Sequence, residues 1–440
     1  MAFIPKYIFI LFITITVDYV AGIYIERSEG RKRKAWLIIS ILSTVLVLAT
    51  FKYFDFFNAN IAAIAAVLHW NYSISVLSLV LPIGLSFHTF QGLSYVIEVY
   101  RGKQKAEYHF GIYALYVMFY PQLVAGPIER PQNLLHQFYE KHKFQYEQVV
   151  SGLQKMLWGM FKKVVIADNL AVFVNLVYND PHGFSGLPLI IATIFFAFQI
   201  YCDFSGYSDI AIGAAQVMGF RLSKNFDNPY FSGSISDFWK RWHISLSSWF
   251  RDYVYIPLGG NRATTGRIYF NLLVTFILSG LWHGANWTYI IWGAVNGIYL
   301  ITEITTKNVR NRIATAIGLD QFPKTRMALS IATTFFLICF AWIFFRANTV
   351  YDAWYVISHL FISGAVFSNT IITVRSFLFL SALILFLILV ELIQIKPENF
   401  INRIRQHSTV LRWGTYYIAI ALIVYFLNGS TPSQFIYFQF

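Results

Sequence analysis

Apolar runs long enough to cross a bilayer, for which ~20 residues suffice, recur along the whole chain, and short basic loops separate them. The pattern predicts an all-α polytopic membrane protein, a multi-helix bundle in a single integral-membrane domain over residues 1–440. Glu26–Lys34 is the strongest basic loop, and placing it in the cytoplasm sets the N-terminus outside. The run Tyr7–Tyr24 carries Asp18 and lacks a clear small-residue cleavage site, so it reads as a retained first span rather than a leader. Ala35–Phe57 then exits and Ser73–Tyr100 returns, leaving Arg101, Lys103 and Lys105 inside. Gly111–Pro127 has basic segments on both sides and helix breakers at Pro121, Gly126 and Pro127. That is the pattern of a re-entrant segment whose loose backbone is buried in protein. Val149–Tyr178 goes out, with Lys162 and Lys163 snorkelling near the cytoplasmic face, and Leu187–Phe220 comes back. Lys224–Arg267 is amphipathic, rich in Trp and cytoplasmic-facing; C-terminal spans lie in 326–430, near Arg326–Phe345, Arg375–Ile395 and Leu411–Leu427.

The basic loops Arg262–Arg267 and Lys307–Arg312 should share a side, so an even number of passes lies between them. Asn271–Ile301, ~31 residues, makes ~46 Å of single helix and is too short for two full spans of ~20 each. A broken hairpin bending at Gly280, Gly284 and Asn286 meets both conditions, with His283 at its tip, deep in the membrane.

Composition agrees: 57% of the 440 residues are hydrophobic and only 12% charged, about half the charge of a soluble domain. The net charge of +13 sits in short loops, which is the positive-inside pattern with attraction to anionic lipid rather than a nucleic-acid surface. Cys202 and Cys339 both fall in apolar runs, so neither a disulfide scaffold nor a metal-ligand spacing is expected.

The candidate chemistry centres on Ser236–Trp287. His283, in Gly280-Leu-Trp282-His283-Gly284-Ala-Asn286-Trp287, is costly to place in an apolar run. Desolvation disfavours a charged imidazole, so a buried histidine is a competent base, walled here by Trp282 and Trp287. The plainer alternative is a histidine that hydrogen-bonds across helices and holds the bundle together. His243, among Ser245, Ser247 and Ser248, is either functional or part of an interfacial helix resting on headgroups. Lys240, Arg241 and Arg251 either contact phosphates of an anionic donor or are ordinary cytoplasmic charge. Asp203 and Asp209, at the end of an apolar run, either orient a histidine or pair with nearby arginines. Pro82–Gly92 and Pro121–Pro131 read as kinked or broken helices around a cavity. In the tail, residues 431–440, a phenol ester on Tyr437 would be a more reactive acyl donor than an alkyl ester, since a phenol has a pKa near 10; the alternative is an interfacial aromatic belt.

Together, Pro82–Gly102, Phe119–Pro131, Phe161–Asp168, Phe198–Gly213, Asn225–Arg262, Gly280–Ala285 and Phe435–Phe440 resemble the membrane-bound O-acyltransferase family, in its bacterial alginate O-acetylase and peptidoglycan O-acetyltransferase branch. The core of the resemblance lies in residues 80–300, and the pairing of Asp237–Arg262 with Leu281–Ala285 is its most specific part. It implies an MBOAT-type bundle with re-entrant segments and a buried central cavity in the bacterial inner membrane. His283 matches the catalytic histidine and His243 the supporting one, with Asp203, Asp209, Trp282 and Asn286 lining or supporting the cavity and Asn286 a candidate oxyanion donor. The implied donor is acetyl-CoA from the cytoplasm, with no permanently bound cofactor; the implied partners are an extracytoplasmic SGNH-type acetyltransferase and a polysaccharide acceptor. The terminal hexapeptide resembles a tyrosine-bearing acyl-export motif, which makes Tyr437 a possible relay. Members usually carry a further apolar segment before the one containing Asp18, so a later start codon is expected here. Competing readings are a D-alanyl transfer protein, a lipid or protein acyltransferase, and a non-enzymatic transporter or flippase whose buried His and Asp line a permeation path.

Overall fold

The computed structural model describes residues 7–77, 82, 84–123, 126–362, 372–395, 409–429 and 435, and among them there is helix but no strand. In chain order the α-helices are α1 Tyr7–Arg27, α2 Gly30–Leu48, α3 Phe54–Val67, α4 Leu85–Tyr100, α5 Phe110–Val117, α6 Pro131–Leu134, α7 Tyr146–Met160, α8 Asp168–Tyr178 and α9 Leu187–Val217. There follow α10 Ile235–Arg241, α11 Ile244–Phe250, α12 Thr265–His283, α13 Trp287–Thr305, α14 Lys307–Ala316, α15 Pro323–Arg346, α16 Val350–His359, α17 Val374–Ile395 and α18 Thr409–Gly429. Among the described residues, five helical stretches are long and apolar enough to cross a membrane: Tyr7–Arg27, Gly30–Val67, Leu187–Val217, Pro323–Arg346 and Val374–Gln394. This is a multi-pass helical membrane protein.

The chain divides into two compact units, residues 1–153 with 211–223, and residues 154–210 with 224–440. In the first, α1, α2 and α4 pack together. Asp18 would be costly in an apolar helix without partners; its carboxylate accepts from Ser40 Oγ at 2.6 Å and Thr44 Oγ1 at 3.3 Å. Among the described residues of the segment expected to be re-entrant, the helix is α5, eight residues long, about 12 Å and too short to span.

The second unit holds the histidine motifs. Residues Phe161–Ala167, between α7 and α8, wind as a π-helix, a local widening frequent at functional sites. The predicted hairpin is present as α12 and α13, but its arms are longer than Asn271–Ile301 suggested. Each has 19 residues, ~28 Å of helix, close to a hydrocarbon core of ~30 Å. His283 therefore ends an arm longer than the half-pass expected. The arms pack closely because glycines line the seam. A Cβ at Gly280 would lie 2.1 Å from the Tyr289 carbonyl oxygen, and one at Gly284 2.1 Å from the Tyr289 ring.

Candidate functional site

His283 is the last residue of α12, with 5% of its surface exposed. Its ring packs against Trp282 at 4.9 Å, Trp292 at 5.1 Å and Phe345 at 5.2 Å between centroids. Trp342 stacks on Trp292 and extends this apolar wall. The expected second wall, Trp287, is exposed instead: it starts α13 beyond the bend, on a face turned from the core.

His243 is 1% exposed and belongs to the core, not to a helix resting on headgroups. It occupies the junction between α10 and α11 with φ 42° and ψ 55°, left-handed values uncommon outside glycine. Such a conformation costs on the order of 1–3 kcal/mol and persists only where the surroundings impose it. They do so here: the ring meets Phe204 edge-on at 4.5 Å, and Nδ1 lies 3.1 Å from Asn225 Oδ1. His243 is also 6.5 Å from Trp282 between ring centroids. One indole thus contacts both predicted histidines. Burial in this non-spanning segment pushes the His243 imidazole pKa down to about 3, because a charged ring loses its hydration there.

Four buried polar residues of α12, Asn271, Thr275, Ser279 and His283, recur every four positions and therefore share one helix face. Thr275 and Ser279 line a cavity of about 490 Å³, together with Trp239, Lys240, Arg251 and Tyr255. The cavity thus has cations on one part of its wall and, on another, a residue one helical turn before His283. Trp239 Nε1 is buried with no hydrogen-bond partner among the described residues.

The two aspartates behave differently from either expectation. Asp209 pairs with Lys162 at 2.7 Å, and Asp203 with Lys163 at 2.7 Å; Lys163 also reaches Asp168 at 2.8 Å. Neither lysine snorkels: the Lys162 side chain is 5% exposed and that of Lys163 20%. Their partners are intramembrane acids, as the cost of burying a lone charge requires. Asn286 has a structural part: both ends of its side-chain amide are engaged. Its Oδ1 caps α13 by accepting from Thr288 N–H at 3.0 Å, and its Nδ2 donates to the Asn348 carbonyl at 3.0 Å.

Tyr437 lies outside the described residues. Phe435, two positions earlier, is buried, with its ring 4.9 Å from Tyr207 and 6.1 Å from Phe204. Asn225, Lys162 and Phe435 were not singled out from the sequence as site residues. Lysines in one apolar run facing aspartates in the next were a readable sign of pairing; nothing local distinguished Asn225.

A helical membrane protein that buries two histidines against one indole, beside a cavity with cations in its wall, has the parts for group transfer within a bilayer. The family model for the membrane-bound O-acyltransferases matches residues 105–354, and the chain belongs to that family. It is 40% identical over 359 residues, 81% of its length, to a Pseudomonas aeruginosa protein named as a probable alginate O-acetylase, and covers 66% of that protein. A peptidoglycan O-acetyltransferase of Helicobacter pylori is 35% identical over 79% of this chain and 69% of its own length. A teichoic acid D-alanyltransferase of Bacillus subtilis is 29% identical over 60% of this chain. The chain thus spans about two thirds of the length of these relatives.

Proposed function

We propose that this protein is a bacterial inner-membrane O-acetyltransferase that moves acetyl groups from cytoplasmic acetyl-CoA towards hydroxyls of an extracytoplasmic polysaccharide. The observation that carries this reading is the shared contact of His243 and His283 with Trp282, one turn beyond a cavity walled partly by Lys240 and Arg251. Relatives named for alginate and peptidoglycan O-acetylation support the acetyl group over D-alanine.

The cationic wall suits the phosphates of the donor, and the Thr275–Ser279 face leads its thioester arm towards His283. The buried Trp239 N–H is a ready donor to a carbonyl of that arm. His283 acts as general base on a hydroxyl, whose oxygen attacks the acetyl carbon. The tetrahedral intermediate collapses by breaking the C–S bond, and the proton passes from His283 to the leaving thiolate. The products are an acetyl ester and free CoA thiol.

Tyr437 supplies that hydroxyl in this scheme. It follows Phe435 by two residues, roughly 7 Å of chain at most, and Phe435 packs on the Phe204 ring that also contacts His243. The phenol ester then passes its acetyl group to an SGNH-type partner, which esterifies the polysaccharide. Deleting the gene and complementing with wild type, His283→Ala or Tyr437→Phe at matched membrane expression tests both roles through envelope ester acetate. Restoration by wild type alone is the expected result. Full acetylation by Tyr437→Phe removes the relay, and by His283→Ala removes the base.

A further inference from the structure

The surroundings of His243 show how its ring is held. Asn225 is fully buried, and its backbone carbonyl accepts from Ile244 N–H at 2.9 Å, pinning the loop across the His243 junction. Its side-chain Oδ1 lies 3.2 Å from Ser245 N, 2.9 Å from Ser245 Oγ and 3.1 Å from His243 Nδ1. A backbone N–H only donates, so the atom facing it must be the amide oxygen and not the NH2 group. The other end of the amide agrees, because Nδ2 donates to Ser208 Oγ at 3.1 Å. An amide oxygen only accepts. His243 must therefore carry its proton on Nδ1, which leaves the lone pair on Nε2.

We propose that Asn225 is the positioning residue of His243: it fixes the Nδ1-protonated tautomer and the ring orientation, so that Nε2 is the atom presented to the acyl-transfer site. The left-handed backbone of His243 fits this role, since residues on both sides of it are tied to Asn225 or to its loop. Ser245 N–H and Ile244 N–H bond Asn225 itself, and Asp227 N–H bonds the Arg241 carbonyl at 2.9 Å on the other side of the junction. Ser208 completes the device from α9 by accepting the amide proton that sets the flip of Asn225. The activity part of this inference rests on the acetyltransferase reading; the tautomer part does not.

The test is nitrogen-15 NMR of histidine-labelled full-length protein in lipid bilayers, with His243 identified by loss of its signal in His243→Gln. The expected wild-type spectrum has a protonated Nδ1 and a bare Nε2 for His243. Asn225→Asp keeps an acceptor oxygen at the same place and retains that pattern; Asn225→Leu removes it and gives a mixture of tautomers. With acetyl-CoA as donor, Asn225→Leu lowers kcat by about 10²-fold, the smaller end of what a positioned acid–base group contributes, with KM within about twofold. Asn225→Asp recovers most of that loss. A wild-type spectrum with protonated Nε2 overturns the proposal, as does a folded Asn225→Leu that keeps both tautomer and kcat. If Asn225→Leu does not fold, Asn225→Asp decides, since loss of the Nδ1–H pattern there is equally fatal. A wild type with the expected tautomer but no transfer from any acyl thioester sinks the acetyltransferase reading and leaves the assignment of Asn225 standing.

Discussion

Around α9 the second unit buries formal charge, whereas around the end of α12 it buries neutral rings. Lys162 and Lys163 meet Asp209, Asp203 and Asp168 within 2.8 Å, and Lys162 also donates to Ser205 Oγ at 2.8 Å. His243 and His283 instead sit among Phe204, Trp282, Trp292 and Phe345. Both clusters face the same penalty for polar groups away from water. The ionic one meets it by pairing, which ties the π-helical segment to α9. The aromatic one surrounds its histidines with rings, and burial disfavours the charged form of His243. Under the proposed function, the conspicuous charge serves architecture and the chemistry falls to the histidines.

The sharpest way to break that comparison is Lys162→Met. Removing one member of a buried pair leaves the other charge uncompensated and typically costs 3–5 kcal/mol. Because Asp209 is about a quarter exposed, the lower part of that range is expected here. The double variant Lys162→Met/Asp209→Leu should recover most of the melting temperature in detergent or nanodiscs, and acetyl transfer with it. If the double variant is stable but inactive, the pair belongs to the chemistry and the division drawn above fails.

A second contrast is in acid. The folded pKa of His243, about 3, lies below that of an exposed histidine, ~6.5. Between those values the unfolded chain binds the proton and the folded chain does not, so stability rises with pH across the window and is lost as pH falls through it. Above pH ~6.5 this contribution is complete. His243→Gln should therefore flatten the acid side of a stability–pH curve measured between pH 4 and 7. An unchanged slope would mean that His243 is charged in the folded protein.

Much of the architecture was legible because burial in lipid leaves few solutions. Apolar length found α1, α9, α15 and α17, and the charge rule required the α12–α13 hairpin. Its arms were set too short because Thr265–Phe270 and Thr302–Thr305 are polar enough to read as loop, although they continue the helices. His283 stood out as a costly residue and His243 as a candidate in its Trp-rich, serine-bearing segment; both are buried with rings against Trp282. Their support was harder to read. The bonds of Asn225 cross 18 and 20 residues of chain to His243 and Ser245, and no periodicity encodes such a contact. Asn286 was ambiguous for the opposite reason: its motif is distinctive, but a capping asparagine and an oxyanion donor look alike in sequence, and the structure adds the cap.

Asn286→Ala gives the smallest effect and settles that last distinction. Loss of an N-cap costs ~1 kcal/mol, and loss of the Nδ2 bond to the Asn348 carbonyl adds a similar amount. Melting should fall modestly while kcat at a permissive temperature stays within about threefold, because neither bond reaches the reacting atoms. An oxyanion donor would behave differently, with kcat falling about 10²–10³-fold at nearly unchanged stability. Asn286→Ser makes the contrast stricter. Its hydroxyl still caps Thr288 N–H but does not restore the Nδ2 bond to Asn348, so about half of the lost stability should return, and activity should follow stability rather than stay low.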